Sequence, residues 1–388
     1  LETHTRASPT RSSLAPDAAP TEDTSDGHGH IATAAEVEEP PLALISVDGD
    51  GNVGMLDLLS EEATDLGSVE KPRALATDGR YAFVSTTDGV QIVDSARWSW
   101  NHGDHFHYYL GAPQISGTVP GSGPVTVTWG MLATAGSTAM HFEGSGEAVL
   151  LDNRALGEGE IVERFRVDAA AGAVVVPLGE GAIISDGDTL AAYDSTGTKT
   201  GLSAVCTEPA GAITTVVGLV IGCAEGAVLV GGDDETAEFT LIAYPDDLEA
   251  PRVREFDARK GRPTVAGLTG SSGFWLLDTR EKSWTYVATE DTPVRVSAVD
   301  DKDGHVVTLD ADGRVRVYAA ATGEEMAVTD TLVDQPGEGT ALAVDGQRAY
   351  VNDAVAGVVY EIDYADGARV ARSLDTSTLP LYIAEVGR

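Results

Sequence analysis

From Pro41 onward, apolar residues come in short β-branched runs separated by Asp-Gly and Gly-rich turns. Amphipathic helical periodicity is nearly absent, so the pattern predicts an all-β chain. The runs also repeat. Ala74-Leu75-Ala76-Thr77-Asp78-Gly79-Arg80-Tyr81-Ala82-Phe83-Val84 aligns without a gap against Ala341-Leu342-Ala343-Val344-Asp345-Gly346-Gln347-Arg348-Ala349-Tyr350-Val351. Each predicts strand, Asp-Gly turn, strand. Both are followed by a run ending in Asp, at 88–94 and 357–363. Further copies stand at 146–152, 188–194 and 312–318, with a looser one at 273–278.

Strand, tight turn and strand at a fixed period is the pattern of a β-propeller, whose blades are four-stranded antiparallel sheets around an axis. Inner strands are expected to start near residues 73, 124, 171, 211, 263, 296, 340 and 380. Leu381 to Val386 supplies the last of these, and 42–47 with 53–58 completes its blade. Pairing both ends of the domain in one sheet closes the ring and leaves no free edge. Eight blades are expected, or seven if 225–262 is an insertion.

Residues 1–38 break the pattern. They are rich in Thr, Ser, Pro, Asp, Glu and Ala, with almost no large apolar side chain after Leu14. Such a segment gains too little burial to offset its ordering entropy and is expected to be disordered, with 39–388 forming one propeller. The chain opens Leu1-Glu2 and not Met, and is expected to be a mature or recombinant product with its targeting segment removed.

Charge narrows the function. The chain holds 62 Asp+Glu against 25 Lys+Arg, a formal net charge of −37. A polyanion such as nucleic acid finds no basic stripe here, and an anionic membrane surface is disfavoured likewise. Cations are attracted instead. No apolar run reaches the roughly 20 residues of a membrane-spanning helix. Cys206 and Cys223 flank a Pro-Ala-Gly-Ala turn on candidate neighbouring strands, a spacing that suits a disulfide and an oxidising compartment.

Histidine is scarce, eight in all, yet three fall in His102-Gly103-Asp104-His105-Phe106-His107, flanked by Trp98, Trp100, Tyr108 and Tyr109. Neutral imidazoles beside a carboxylate suit zinc, which takes nitrogen and oxygen ligands in a tetrahedral shell. On an extended strand His105 and His107 share a face and Asp104 points away. A bend at Gly103 brings His102 round, and Asp104 serves as ligand or as the acceptor that orients an imidazole. His28 and His30 form a second pair in the tail. His141 has apolar strand neighbours and reads first as a packed residue, with ligation as the alternative. His305 sits at a turn-to-strand junction and reads as structural. Asp48-Gly49-Asp50-Gly51-Asn52 echoes a calcium loop but lacks the later glycine and glutamate, and is read as a hairpin turn. Neither a Gly-x-Ser-x-Gly elbow nor a phosphate loop occurs.

The run Asn101 to Tyr109, inside a propeller with a His-bearing tail, resembles the AztD-type zinc metallochaperones, exported proteins that deliver zinc to the solute-binding protein of an ABC-type zinc importer. The segment from Cys206 to Cys223 and on to Leu229 shares the resemblance. It implies zinc binding by His102, Asp104, His105 and His107, and a role for His28 and His30 in capture or transfer. Members of that family often carry a histidine just after the first cysteine. Here Thr207-Glu208-Pro209-Ala210 stands there, and Glu208 is the available substitute. The expectation is therefore an exported, monomeric zinc carrier and not an enzyme. A metal-dependent propeller hydrolase or lactonase and a surface interaction scaffold are the alternatives.

Overall fold

The computed structural model describes residues 29–101 and 105–388. Its strands form eight four-stranded antiparallel sheets, the blades of a β-propeller. The inner strands are Ala74–Thr77, Val125–Trp129, Val175–Leu178, Ala212–Thr214, Glu255–Asp257, Pro293–Ala298, Leu342–Val344 and Tyr382–Val386. In the closing blade, Tyr382–Val386 pairs with Ala43–Val47 (Ala43 opposite Val386), which continues into Asn52–Asp57 and Ala63–Ser68.

Two boundaries differ from the sequence expectation. The strand near 263, Thr264–Leu268, is the second of its blade, and the inner one is Glu255–Asp257. That strand is three residues long and buries only Phe256, so it leaves no apolar run to read. Residues 225–262 are not an insertion, because Gly226–Gly231 and Glu238–Ala243 are the third and fourth strands of one blade. Second, Ala35–Val37, inside the segment expected to be tail, is a strand paired with Phe106–Leu110. Composition counts side-chain burial, whereas this segment is held by its backbone ladder.

The core is distributed between blades. Ala43, Ile45, Val47, Ala384 and Val386 of the closing blade pack on Ala82, Val84 and Val93 of the next. Second strands such as Tyr81–Ser85 and Leu219–Cys223 are buried at every residue. A sheet covered on both faces needs apolar residues at consecutive positions, which explains runs rather than alternation in the sequence. Each fully buried Val, Leu or Ile contributes about 1.5–3 kcal/mol.

The repeated Asp-Gly turns are built alike. Asp78 Oδ1 accepts from the backbone N–H groups of Arg80 and Tyr81, both at 2.8 Å. Asp345 Oδ1 accepts from Gln347 and Arg348, both at 2.6 Å. Gly79 takes φ +94°, where a side chain is disfavoured. The calcium-like Asp48 is a turn of the same kind, with Oδ1 accepting from Asp50 and Asn52.

Cys206 and Cys223 are disulfide-bonded, Cα–Cα 5.2 Å. Cys206 follows the outer strand Lys199–Val205 and Cys223 ends Leu219–Cys223, so the bond joins two consecutive blades rather than paired strands of one sheet.

Candidate functional site

All inner strands run toward one face of the ring, and an excursion from the second blade overhangs that face. Between its third strand, Gly89–Asp94, and its fourth, Gln114–Pro120, the chain makes the hairpin Arg97–Asn101 and Phe106–Leu110. Aromatic and apolar residues at Trp98, Trp100, Phe106, Tyr108, Tyr109 and Leu110 favour the extended backbone. Ala35–Val37 adds a third strand on the outer edge.

The base of the hairpin is anchored by side-chain contacts. Arg80, buried, donates to Asp94 through Nε (3.0 Å) and Nη2 (2.8 Å). Its guanidinium lies 4.1 Å from the Trp98 ring centre, a desolvated cation–π contact of about 2 kcal/mol. Trp98 stacks on Tyr109 at 5.2 Å and donates from Nε1 to the Gly29 carbonyl at 2.9 Å. Arg97 reaches Asp57 at 2.7 Å, tying the hairpin to the closing blade.

Cross-strand pairs share a face of the sheet. Trp98 stands opposite Tyr109 and Trp100 opposite His107, while Glu36 of the added strand stands opposite Tyr109. Glu36, Trp98, Trp100, His107 and Tyr109 thus lie on one face, and Ser99, Phe106 and Tyr108 on the other. The His105 and His107 rings meet edge to face, centroids 4.7 Å apart, with their Nε2 atoms 3.0 Å apart. His107 Nδ1 lies 2.6 Å from Glu36 Oε1. A carboxylate on Nδ1 fixes the tautomer that leaves Nε2 as the donor toward a metal. Two zinc–nitrogen bonds of 2.0–2.1 Å at a tetrahedral angle need nitrogens about 3.3 Å apart, so a slight opening of this pair accommodates the ion.

His30 stands edge-on to Tyr109 at 5.9 Å, and His107 lies 6.4 Å from the same ring. His30 and His107 thus share Tyr109 as a neighbour. Burial and the Glu36 charge push the Tyr109 hydroxyl up, which keeps it neutral at physiological pH. His28, His102 and Asp104 lie outside the described residues.

The structure does not bring His141 or Glu208 to this place. His141 sits near the far end of Ser137–Phe142, at the opposite face of the ring, buried, with Nδ1 3.3 Å from Glu143 Oε1 but without hydrogen-bond alignment. Glu208 pairs with Arg252 at 2.8 Å beside the disulfide, at that opposite face too. Glu36 is the residue sequence reasoning missed. Its signal was faint, since Ala35-Glu36-Val37 is one short alternation in a polar stretch.

A second group of ligand-type atoms exists. Asp301, Asp303 and His305 bring theirs within 4.8 Å of one another. Asp301 Oδ2 already takes His305 Nδ1 at 2.6 Å, and its Oδ1 accepts from the His305 backbone N–H at 2.9 Å. That bonding describes a turn-to-strand cap.

Fold and hairpin together define a class: an eight-bladed propeller carrying paired, carboxylate-oriented imidazoles over one mouth of its ring. Among solved structures, the fold is that of AztD. The crystal structure of Citrobacter koseri AztD matches with a TM-score of 0.76 at 19% identity, over 89% of this chain and 97% of that one. Apo AztD from the same organism matches with a TM-score of 0.74 at 18% identity, over the same shares. The dihydro-heme d1 dehydrogenase NirN, in complex with DHE, matches at 0.56 and 15%, over 96% of this chain and 84% of that one. At these identities the likeness is one of fold. No protein-family model matches the sequence, and no curated protein sequence matches it.

Proposed function

We propose that the chain is an extracytoplasmic zinc carrier that hands its ion to the solute-binding protein of an ABC-type zinc importer, acting as a monomer and catalysing no reaction. The convergence of His105 and His107 Nε2 at 3.0 Å, with Glu36 on His107 Nδ1, carries this reading. Zinc is the cargo. The pair sits on an overhanging strand and not in a closed core; His105 is exposed, so an acceptor's ligand has room to approach. A structural zinc site is closed by four ligands, whereas a transfer site needs an open approach. The AztD-like fold supports the reading, and so does the net charge of −37, which draws cations. The disulfide favours an oxidising compartment, and among the described residues no helix is long and apolar enough to cross a membrane.

The testing experiment mixes the zinc-loaded chain with the apo solute-binding protein in the presence of a competing chelator. Direct hand-over predicts transfer faster than zinc dissociation from the chain measured with chelator alone. Transfer no faster than that dissociation, and abolished by the chelator, contradicts the proposal.

A further inference from the structure

Beneath the other face of the hairpin lies a cavity of about 870 Å³, within the size range of small-molecule sites. Six of the chain's 25 lysines and arginines line it, against three of its 62 acidic residues. Four of the six cations, Arg262, Arg348, Arg372 and Arg388, have carboxylate neighbours, and two do not. Arg348 and Arg372 are neutralised by Glu361. Among the described residues neither Arg259 nor Lys260 forms an ion pair, and Lys260 donates to the Asp78 carbonyl at 2.7 Å. Arg262 pairs with Asp300, its Nε 3.5 Å from Oδ2, and donates from Nη2 to the Asp300 carbonyl.

Burial and the neighbouring Arg262 hold the Arg259 guanidinium below its ordinary range, against the opposing influence of Tyr364, Asp301 and Asp300. Burial does the same to Lys260, with Arg388 adding to it and Asp78 opposing it. Arg388 faces Glu385 at 3.3 Å, a carboxyl that burial pushes up to about 8. Arg259 and Lys260 are half-buried like charges without an ion-pair partner, and an anion between them offsets their repulsion. The roof is apolar: Phe106 and Tyr108 lie parallel, 6.3 Å apart, and Met131 closes the side.

We propose that this cavity binds a small organic carboxylate, its anionic group on Arg259, Lys260 and Arg262 and its apolar body against Phe106, Tyr108 and Met131. Guanidinium groups match carboxylate geometry, and the aromatic faces take the rest of the molecule. Trp98 and Trp100, which share the imidazole pair's face, also line this cavity, whereas neither His105 nor His107 does.

The test is calorimetric titration of the full chain, stripped of metal so that the result is independent of the zinc reading. The probes are 1-naphthoate, its neutral amide 1-naphthamide, and inorganic phosphate. Binding of 1-naphthoate is expected to weaken by at least about tenfold in Arg259→Gln/Lys260→Gln, the loss of charge-assisted bonds. Exposed Arg280→Gln should leave it unchanged. If the double variant fails to fold, Phe106→Ala, on the exposed hairpin, is expected to weaken naphthoate binding. Equal affinity for naphthoate and naphthamide, or no loss in the folded double variant, overturns the proposal. Phosphate binding as tight as naphthoate overturns the apolar half of the assignment.

Discussion

Two histidine–carboxylate pairs on the same face of the ring have the same 2.6 Å separation and different meanings. His107 takes its carboxylate from Glu36, 71 residues away on an added strand, and shows its Nε2 to a second imidazole. His305 takes its carboxylate from Asp301, four residues earlier in the same turn, and is covered by Tyr364 at 5.5 Å. Burial alone would raise Asp301, but the backbone and ring hydrogen bonds from His305 and the imidazole charge hold it below the usual carboxylate range. A local pair of this kind is turn chemistry that orders a strand start. A pair assembled from distant segments, with a further donor beside it, is the arrangement proposed to order a zinc ligand.

The largest expected effect separates the two directly. His105→Ala/His107→Ala should weaken zinc binding by at least about 100-fold, since both proposed donors are lost, more than outer-shell changes usually cost. Protons compete with zinc for imidazole nitrogens, so wild-type affinity should also fall steeply from pH 7 to pH 5. Competition with a zinc-binding dye measures both, and a flat pH response would point to oxygen ligands.

Glu36→Gln comes next, with a loss of about tenfold or more, because the amide orients His107 less strongly than the carboxylate does. Removing residues 1–38 should reproduce that loss, since it takes away Glu36 and its strand. A truncated chain with wild-type affinity contradicts the role given to Glu36.

His305→Ala should change zinc affinity by less than about threefold while costing about 1–3 kcal/mol of stability at pH 7, the range for losing a buried hydrogen bond. Asp301 is depressed in the folded state, so its contribution is complete above the unfolded carboxylate range near pH 4 and lost on acidification through its folded value. Urea unfolding at pH 7 and at successively lower pH should therefore show the gap between variant and wild type narrowing on acidification below about pH 4.

The smallest effect on zinc belongs to the disulfide. Cys206→Ser/Cys223→Ser should lower stability by about 3 kcal/mol in the chain-entropy model, with zinc affinity unchanged, because the bond joins blades at the opposite face. Altered zinc affinity in that variant breaks the separation of the two faces.

The fold was legible where repetition and burial agreed. Consecutive apolar positions in Tyr81–Ser85 or Leu219–Cys223 announce strands covered on both sides, and Asp-Gly pairs announce their turns. It was illegible at Glu255–Asp257, where one buried Phe256 leaves no pattern. At the site, the clustering of His105 and His107 was plain in the sequence, but the contribution of Glu36 was not. It depends on a backbone pairing between segments 71 residues apart, which no local period encodes. His141 and Glu208 show the converse, since residue type nominated them and strand direction carries them to the other face.

The central claim is that zinc binds at the hairpin pair and not at the Asp301 turn. Anomalous scattering at the zinc edge from crystals of the zinc-loaded chain tests it most directly. A peak about 2.0–2.1 Å from both His105 Nε2 and His107 Nε2 is the predicted result. A peak among Asp301, Asp303 and His305, with none at the hairpin, would contradict it.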